Sequence, residues 1–173
     1  MFLTVYNIVH IYIYITTYPY IYYITIQLTH IESIQNIVHK WCDGTDTTDT
    51  TLTGDNTNTN SNTNTNTNTS KPSTVDLILT SGGTGFGARD FTPEAIRPLF
   101  HREAPAIAQA LIQEGLKHTP LALLSRPVVG VRNETLIATL PGSVKAVREN
   151  IVVLTPLLPR IMELLIKNTC GGQ

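Results

Sequence analysis

The spacing of apolar residues changes several times along this chain, and each change predicts a different element. Ile11-Tyr12-Ile13-Tyr14-Ile15 alternates with the two-residue period of a strand, and Pro19 interrupts the run. Ile31, Ile34, Ile37, Val38 and Trp41 then recur at i, i+3, i+6, i+7 and i+10, which predicts one apolar face of an amphipathic helix ending at Asp43-Gly44. Val75-Asp76-Leu77-Ile78-Leu79-Thr80 is a short, mostly apolar run of the buried-strand type. A helix start follows at Thr92-Pro93, with Thr92 as N-cap, Pro93 at the first helical position and Pro98 set to kink or end it. A second helix is predicted from Pro105 to about Lys117. Arg126–Val131 and Thr135–Leu140 flank Arg132-Asn133-Glu134 as a strand pair. Ser143 is the expected N-cap of a helix whose signal reaches Asn150, and Pro156 and Pro159 open a last helix ending near Lys167.

Composition divides the chain. All seven tyrosines fall between Tyr6 and Tyr23, and no Lys, Arg, Asp or Glu precedes Glu32. Residues 2–28 are long enough to cross a bilayer, but seven tyrosines and Pro19 suit a membrane centre poorly, and no basic region precedes them as in a signal peptide. An irregular Ile/Tyr-rich N-terminus is expected over 1–28, with a membrane anchor and a true strand as the other readings. From Thr45 to Thr74 the chain is mostly Thr, Asn and Asp, with Leu52 its one large apolar residue. Such a tract cannot bury enough surface to offset the entropy of ordering, so a disordered insertion is expected over 45–74. The core-forming parts are the helix within 29–44 and an α/β domain over 75–173.

Charge is nearly balanced across the 173 residues, at a net of −1, which gives no electrostatic case for nucleic acid or a membrane surface. Residues 75–173 carry ten basic and eight acidic groups, a mild surplus compatible with an anionic ligand. Cys42 and Cys170 are too few for a disulfide framework and lack metal-ligand spacing, so a reduced, cytoplasmic setting is expected. His39, His101 and His118 are isolated and read as surface groups.

The candidate chemistry lies between the first buried strand and the Thr92 helix, in Ser81-Gly82-Gly83-Thr84-Gly85-Phe86-Gly87-Ala88-Arg89-Asp90. Glycines here permit positive φ and bring backbone N–H groups close to a ligand, as an anion cradle requires. A tight turn without ligand is the alternative. Asp90 beside a phosphate cradle favours the first reading, because Mg²⁺ on phosphates needs one or two carboxylates. Glu94 reads either as a second acid of the site or as a complement to the helix dipole. Pro141-Gly142-Ser143 forms a second strand–glycine-turn–helix junction. Two such junctions at the carboxyl ends of strands fit an open α/β sheet that binds its ligand along one edge.

Ser81-Gly82-Gly83-Thr84-Gly85-Phe86, Arg89-Asp90, Thr92-Pro93-Glu94-Ala95, Arg102-Glu103-Ala104-Pro105, Leu124-Ser125-Arg126-Pro127 and Leu140-Pro141-Gly142-Ser143 occur in the order of the molybdopterin-binding family. Over about Val75 to Leu165 the chain resembles molybdopterin adenylyltransferases and the gephyrin N-terminal domain, and the helix ending Trp41-Cys42-Asp43 resembles the segment before their glycine loop. The resemblance implies a three-layer α/β/α domain with a mostly parallel open sheet. Residues 1–28 carry neither the Ser-Asp nor the Ser-Gly motif of the family's opening strand–helix–strand unit, so that sheet is expected to be N-terminally incomplete.

The resemblance also implies molybdenum cofactor biosynthesis, by transfer of AMP from Mg·ATP to the phosphate of molybdopterin with release of pyrophosphate. A homotrimer and a molybdenum-inserting partner protein are implied with it. On the matching positions, Gly82, Gly83, Thr84 and Gly85 would cradle phosphate. Asp90 would be the metal-side carboxylate, with Glu94 supporting it. Ser125, Arg126, Pro141, Gly142 and Ser143 would line the pterin side. A catalytically impaired molybdopterin-binding or scaffold protein of the same family is the alternative.

Overall fold

The computed structural model describes residues 9–15, 20–26, 30–43 and 75–170, with side chains over 30–43 and 75–165. The insertion expected over 45–74 lies outside the described residues. Six strands form one open sheet: β1 (Val9–Ile15), β2 (Tyr20–Ile26), β3 (Leu77–Ser81), β4 (Arg102–Glu103), β5 (Val129–Arg132) and β6 (Thr135–Leu140), in the order β2-β1-β3-β6-β5-β4. Its helices are α1 (Ile31–Asp43), α2 (Thr92–Ile96), α3 (Pro105–Leu116), α4 (Val144–Leu154) and α5 (Leu158–Cys170).

The two-residue period of β6 explains the layering. All six of its residues are buried. Ile137 packs with Ile78 against Ile34 and Val38 of α1 and Ala95 and Ile96 of α2. Leu136, Ala138 and Leu140 pack on the other face against Leu111 of α3, Leu154 of α4 and Met162 and Leu165 of α5. A strand covered on both faces reads as a continuous apolar run, and the result is the expected α/β/α sandwich with an open sheet.

The strand pairing departs from the mostly parallel expectation. Only β3 and β6 run parallel, with Leu77 opposite Leu136 and Ser81 opposite Leu140. The β5–β6, β4–β5, β1–β2 and β1–β3 pairs are antiparallel. Connection length accounts for the β1–β2 and β5–β6 pairs, because a parallel pair needs a crossover of about a dozen residues or more. β5 and β6 are joined through Asn133 and Glu134 alone, with Asn133 at φ 51°. Residues 1–28 were expected to be irregular, yet β1 and β2 pair as a hairpin and β1 lies against the free edge of β3, His10 opposite Ser81 and Tyr14 opposite Leu77.

Local expectations mostly hold. α1 buries Ile34, Val38 and Cys42, so the stripe continues to Cys42 one turn beyond Val38. α2 gives way at Pro98 to a 3₁₀ turn, Arg97–Leu99, because proline supplies no N–H to continue the ladder. Thr92 is not an N-cap. It lies inside α2, and its buried hydroxyl donates instead to the Gly82 carbonyl at 2.9 Å. Ser143 does cap α4, its Oγ accepting from the Ala146 N–H at 3.2 Å.

Candidate functional site

Parallel pairing of β3 and β6 puts their carboxyl ends side by side, and with them the two glycine turns. The Gly82 N–H donates to the Leu140 carbonyl at 3.0 Å, and Ser81 Oγ donates to the Pro141 carbonyl at 2.9 Å. Gly142 lies against Gly82, where a Cβ on it would be in van der Waals contact at 3.4 Å from Gly82 Cα. Residues 60 positions apart along the chain thus share one sheet edge.

The glycine loop is wound tightly by its own polar groups. Gly82 and Gly83 have φ of 103° and 67°, a region open to glycine. A Cβ on Gly83 would lie 2.2 Å from Thr92 Oγ1. Asp90 turns back into the loop, where its Oδ2 accepts from the Gly87 N–H at 2.9 Å, and Asp90 N–H donates to the Gly87 carbonyl at 2.8 Å. Gly85 and Gly87 leave room for this carboxylate, since a Cβ on either would sit 2.8 Å from Oδ2. Among the described residues, the N–H groups of Gly83, Thr84, Gly85 and Phe86 have no backbone partner. Unpaired N–H groups in succession at a sheet edge form an anion-binding concavity.

Arg126 closes the loop from the opposite side. Its Nε donates to the Gly85 carbonyl at 2.9 Å and its Nη2 to the Asp90 carbonyl at 2.7 Å. Both terminal nitrogens also reach the Glu94 carboxylate. The guanidinium lies 5.2 Å from the centroid of the Phe86 ring, which is otherwise exposed at the loop tip. Desolvation works against the charged form of Glu94, but the hydrogen bond from Arg126 and the nearby Arg97 charge outweigh it and hold the carboxyl below its ordinary value. Glu94 is therefore ionised and committed to an ion pair.

Next to this loop, α3, the 3₁₀ turn Pro120–Leu124 and the start of α4 enclose a cavity of about 220 Å³. Ser125, Pro141 and Ser143 line it, and Thr84 Oγ1 lies 3.2 Å from Ser125 Oγ, linking cavity and glycine loop. Of the residues assigned to the pterin side, these three face the cavity. Arg126 and Gly142 do not: Arg126 turns to the glycine loop, 41 positions earlier in the chain, and Gly142 lies against Gly82. All the sequence-assigned positions, Gly82 to Gly85, Asp90, Glu94, Ser125, Arg126 and Pro141 to Ser143, gather around this one edge.

Sequence reasoning missed Phe86 as the platform for Arg126 and missed Glu149 and Asn150, which also line the cavity. Asn150 carried a readable signal, a polar residue on the buried stripe of Val147, Ile151 and Leu154. Among the described residues no group of three or more His, Cys, Asp or Glu side chains could hold a metal by itself, and no helix is long and apolar enough to cross a membrane.

The family model described as "Probable molybdopterin binding domain" matches residues 31–160. Gephyrin of Dictyostelium discoideum is 55% identical over 89 residues, which are 51% of this chain and 12% of that protein. Molybdopterin adenylyltransferase of Helicobacter pylori (strain J99) is 39% identical over 93 residues, covering 54% of this chain and 53% of the relative. The chain thus spans about half the length, or less, of these curated relatives. The crystal structure of the molybdopterin biosynthesis enzyme MoaB from Thermus thermophilus superposes with a TM-score of 0.58 at 37% identity, over 79% of this chain and 69% of that one. With a family match running from α1 into α5, this chain belongs to the molybdopterin-binding domain family.

Proposed function

We propose that this chain acts in molybdenum cofactor biosynthesis as a molybdopterin adenylyltransferase. The observation that carries the reading is the joining of two glycine turns and one small cavity at the shared end of β3 and β6. Such a site suits a ligand with phosphate at one end and a ring at the other. In the proposed reaction a phosphate oxygen of molybdopterin attacks the α-phosphorus of ATP. The new P–O bond forms as the bond from the α-phosphorus to the bridging oxygen breaks, and pyrophosphate leaves with that electron pair. The attacking phosphate is already an anion, so the chain's work is positioning and charge stabilisation.

In this reading the N–H groups of Gly83, Thr84 and Gly85 receive phosphate oxygens, while Arg126 holds the loop and Glu94 holds Arg126. Ser125, Pro141 and Ser143 border the ring, and Gly142 joins the two glycine turns beside it. Asp90 fits a Mg²⁺ ion accompanying ATP, because one carboxylate with phosphate oxygens and water satisfies that ion, whose contribution is neutralising the charge of the transferring phosphates. Assembly as a homotrimer and hand-over of product to a molybdenum-inserting protein belong to the same proposal.

Incubation of the full chain with Mg·ATP and molybdopterin tests it, with adenylylated molybdopterin and pyrophosphate as the expected products. One observation favours a second reading. The edge of β3 pairs with the antiparallel Ile/Tyr strand β1, and residues 1–28 lack the family's Ser-Asp and Ser-Gly motifs. Molybdopterin binding without AMP transfer would identify a binding or scaffold protein.

A further inference from the structure

The cavity between α3 and α4 contains a polar group with nothing to bind. Asn150 is 4% exposed, lines the cavity, and its side-chain amide makes no hydrogen bond among the described residues. Among the described residues Thr80 Oγ1 is the one fully enclosed side-chain polar atom without a partner, so the Asn150 amide is not sealed in the core but opens onto the cavity, free to meet an occupant. The surrounding wall is mostly apolar, with Leu111, Ala122 and Pro127 among its residues. Beside Asn150 stands Glu149, whose carboxylate is flanked loosely by His118 Nδ1 at 3.6 Å and Lys145 Nζ at 3.9 Å. About 220 Å³ is less than the ~300–1,000 Å³ of sites for drug-sized ligands, which limits the occupant to one small ring system.

We propose that Asn150 is a specificity residue that reads the hydrogen-bonding edge of a flat heterocycle seated in this cavity. On the function proposed above, on which this rests, that heterocycle is the pterin of molybdopterin. An amide offers a donor and an acceptor side by side. The ring N–H and adjacent carbonyl of a 2-amino-4-oxopyrimidine edge offer the complement, and the 2-amino group adds a donor suited to the carboxylate of Glu149. Apolar walls with a few placed polar groups are the usual make-up of a heterocycle pocket.

The test uses the full chain and free pterin as a fluorescent probe, with binding and Tm measured for the wild type, Asn150→Leu and Ala146→Phe. Ala146 also lines the cavity, so its enlargement blocks the space. The expected result is pterin binding by the wild type, a loss of about tenfold or more in Asn150→Leu, and no binding in Ala146→Phe. The Tm of Asn150→Leu is expected to stay near the wild-type value, because the amide opens onto the cavity and no hydrogen bond of the fold is lost with it. A lower Tm with unchanged affinity would make Asn150 structural and overturn the proposal. Unchanged pterin affinity in either variant, or no pterin binding by the wild type, would overturn it too. AMP transfer to molybdopterin, assayed in parallel, separates the two ideas. Transfer alongside any overturning result leaves the adenylyltransferase reading standing. Pterin binding as expected without transfer removes that reading and leaves the role of Asn150 intact.

Discussion

Arg132 holds both carboxylate oxygens of Asp43, Nε to Oδ1 at 3.0 Å and Nη2 to Oδ2 at 2.7 Å, across 89 residues of sequence. Asp43 ends α1 and Arg132 ends β5, so this fork ties the helix before the Thr/Asn tract to the hairpin beyond the glycine loop. Asn133 Nδ2 adds a bond to Oδ1 at 2.8 Å, and His39 Nδ1 lies 3.0 Å from Oδ2. The hydrogen bonds from Arg132 lead in lowering the Asp43 pKa from 3.8 to about 2, against the opposing effect of desolvation. A folded-state pKa below the unfolded one contributes stability that is present above the unfolded value and is lost as pH falls through the folded value. Asp43→Asn is therefore expected to cost ~1–2 kcal/mol near neutral pH. Urea unfolding of both chains from pH 6 downwards checks this, and the difference should shrink below about pH 4.

Arg126 binds more than Glu94, and the two are not expected to be equivalent. Glu94→Gln removes one ion pair, but Arg126 keeps its bonds to the Gly85 and Asp90 carbonyls. Arg126→Lys removes the planar fork that makes all these bonds at once and its stacking on Phe86. The expected stability loss is ~1–2 kcal/mol for Arg126→Lys, with a smaller one for Glu94→Gln. Equal losses in chemical denaturation would mean that the ion pair alone matters.

Gly83 gives a sharper test of loop geometry. Alanine there meets two obstacles, the φ of 67° and the Thr92 hydroxyl 2.2 Å from its Cβ. Gly83→Ala is expected to cost ~1–3 kcal/mol. In a Thr92→Ala background the 2.2 Å contact with Oγ1 disappears, leaving the Cβ of that residue at 3.3 Å and the backbone strain, so the cost should fall without vanishing. Full additivity of the two substitutions in a double-mutant cycle would show that the loop relaxes away from Thr92.

What could be read from sequence was local. The Ile34–Val38 face of α1, the apolar run of β3, the turn between β5 and β6 and the Ser143 cap all depend on neighbours a few residues away, and all are found. β4 could not be read, because Arg102 and Glu103 are exposed and carry no apolar signal; they form a strand only by lying beside Val131 and Gly130. The direction of Arg126 was equally hidden. Its motif places it near the site, but its partners lie 32 to 41 positions away, and only the fold decides that it faces the loop and not the cavity. Thr92 shows the same limit: its place before a helix suggested a cap, yet the adjacent Gly82 carbonyl claims its hydroxyl.

Asp90 separates loop structure from chemistry. Its Oδ2 accepts from Gly87 N–H, a bond that the amide oxygen of asparagine can also accept. Asp90→Asn is therefore expected to leave stability within ~0.5 kcal/mol of the wild type while removing the charge proposed to face Mg·ATP. AMP transfer should fall by ~10²-fold or more, the scale on which loss of one transition-state electrostatic partner is felt. Asp90→Ala removes the loop bond as well, and should also lose ~1 kcal/mol of stability. Pterin binding should survive both substitutions, because Asp90 does not line the cavity that holds Ser125 and Ser143. Transfer at the wild-type rate by Asp90→Asn would confine Asp90 to bracing the loop. A loss of transfer with folding and pterin binding retained would place its charge in the reaction itself.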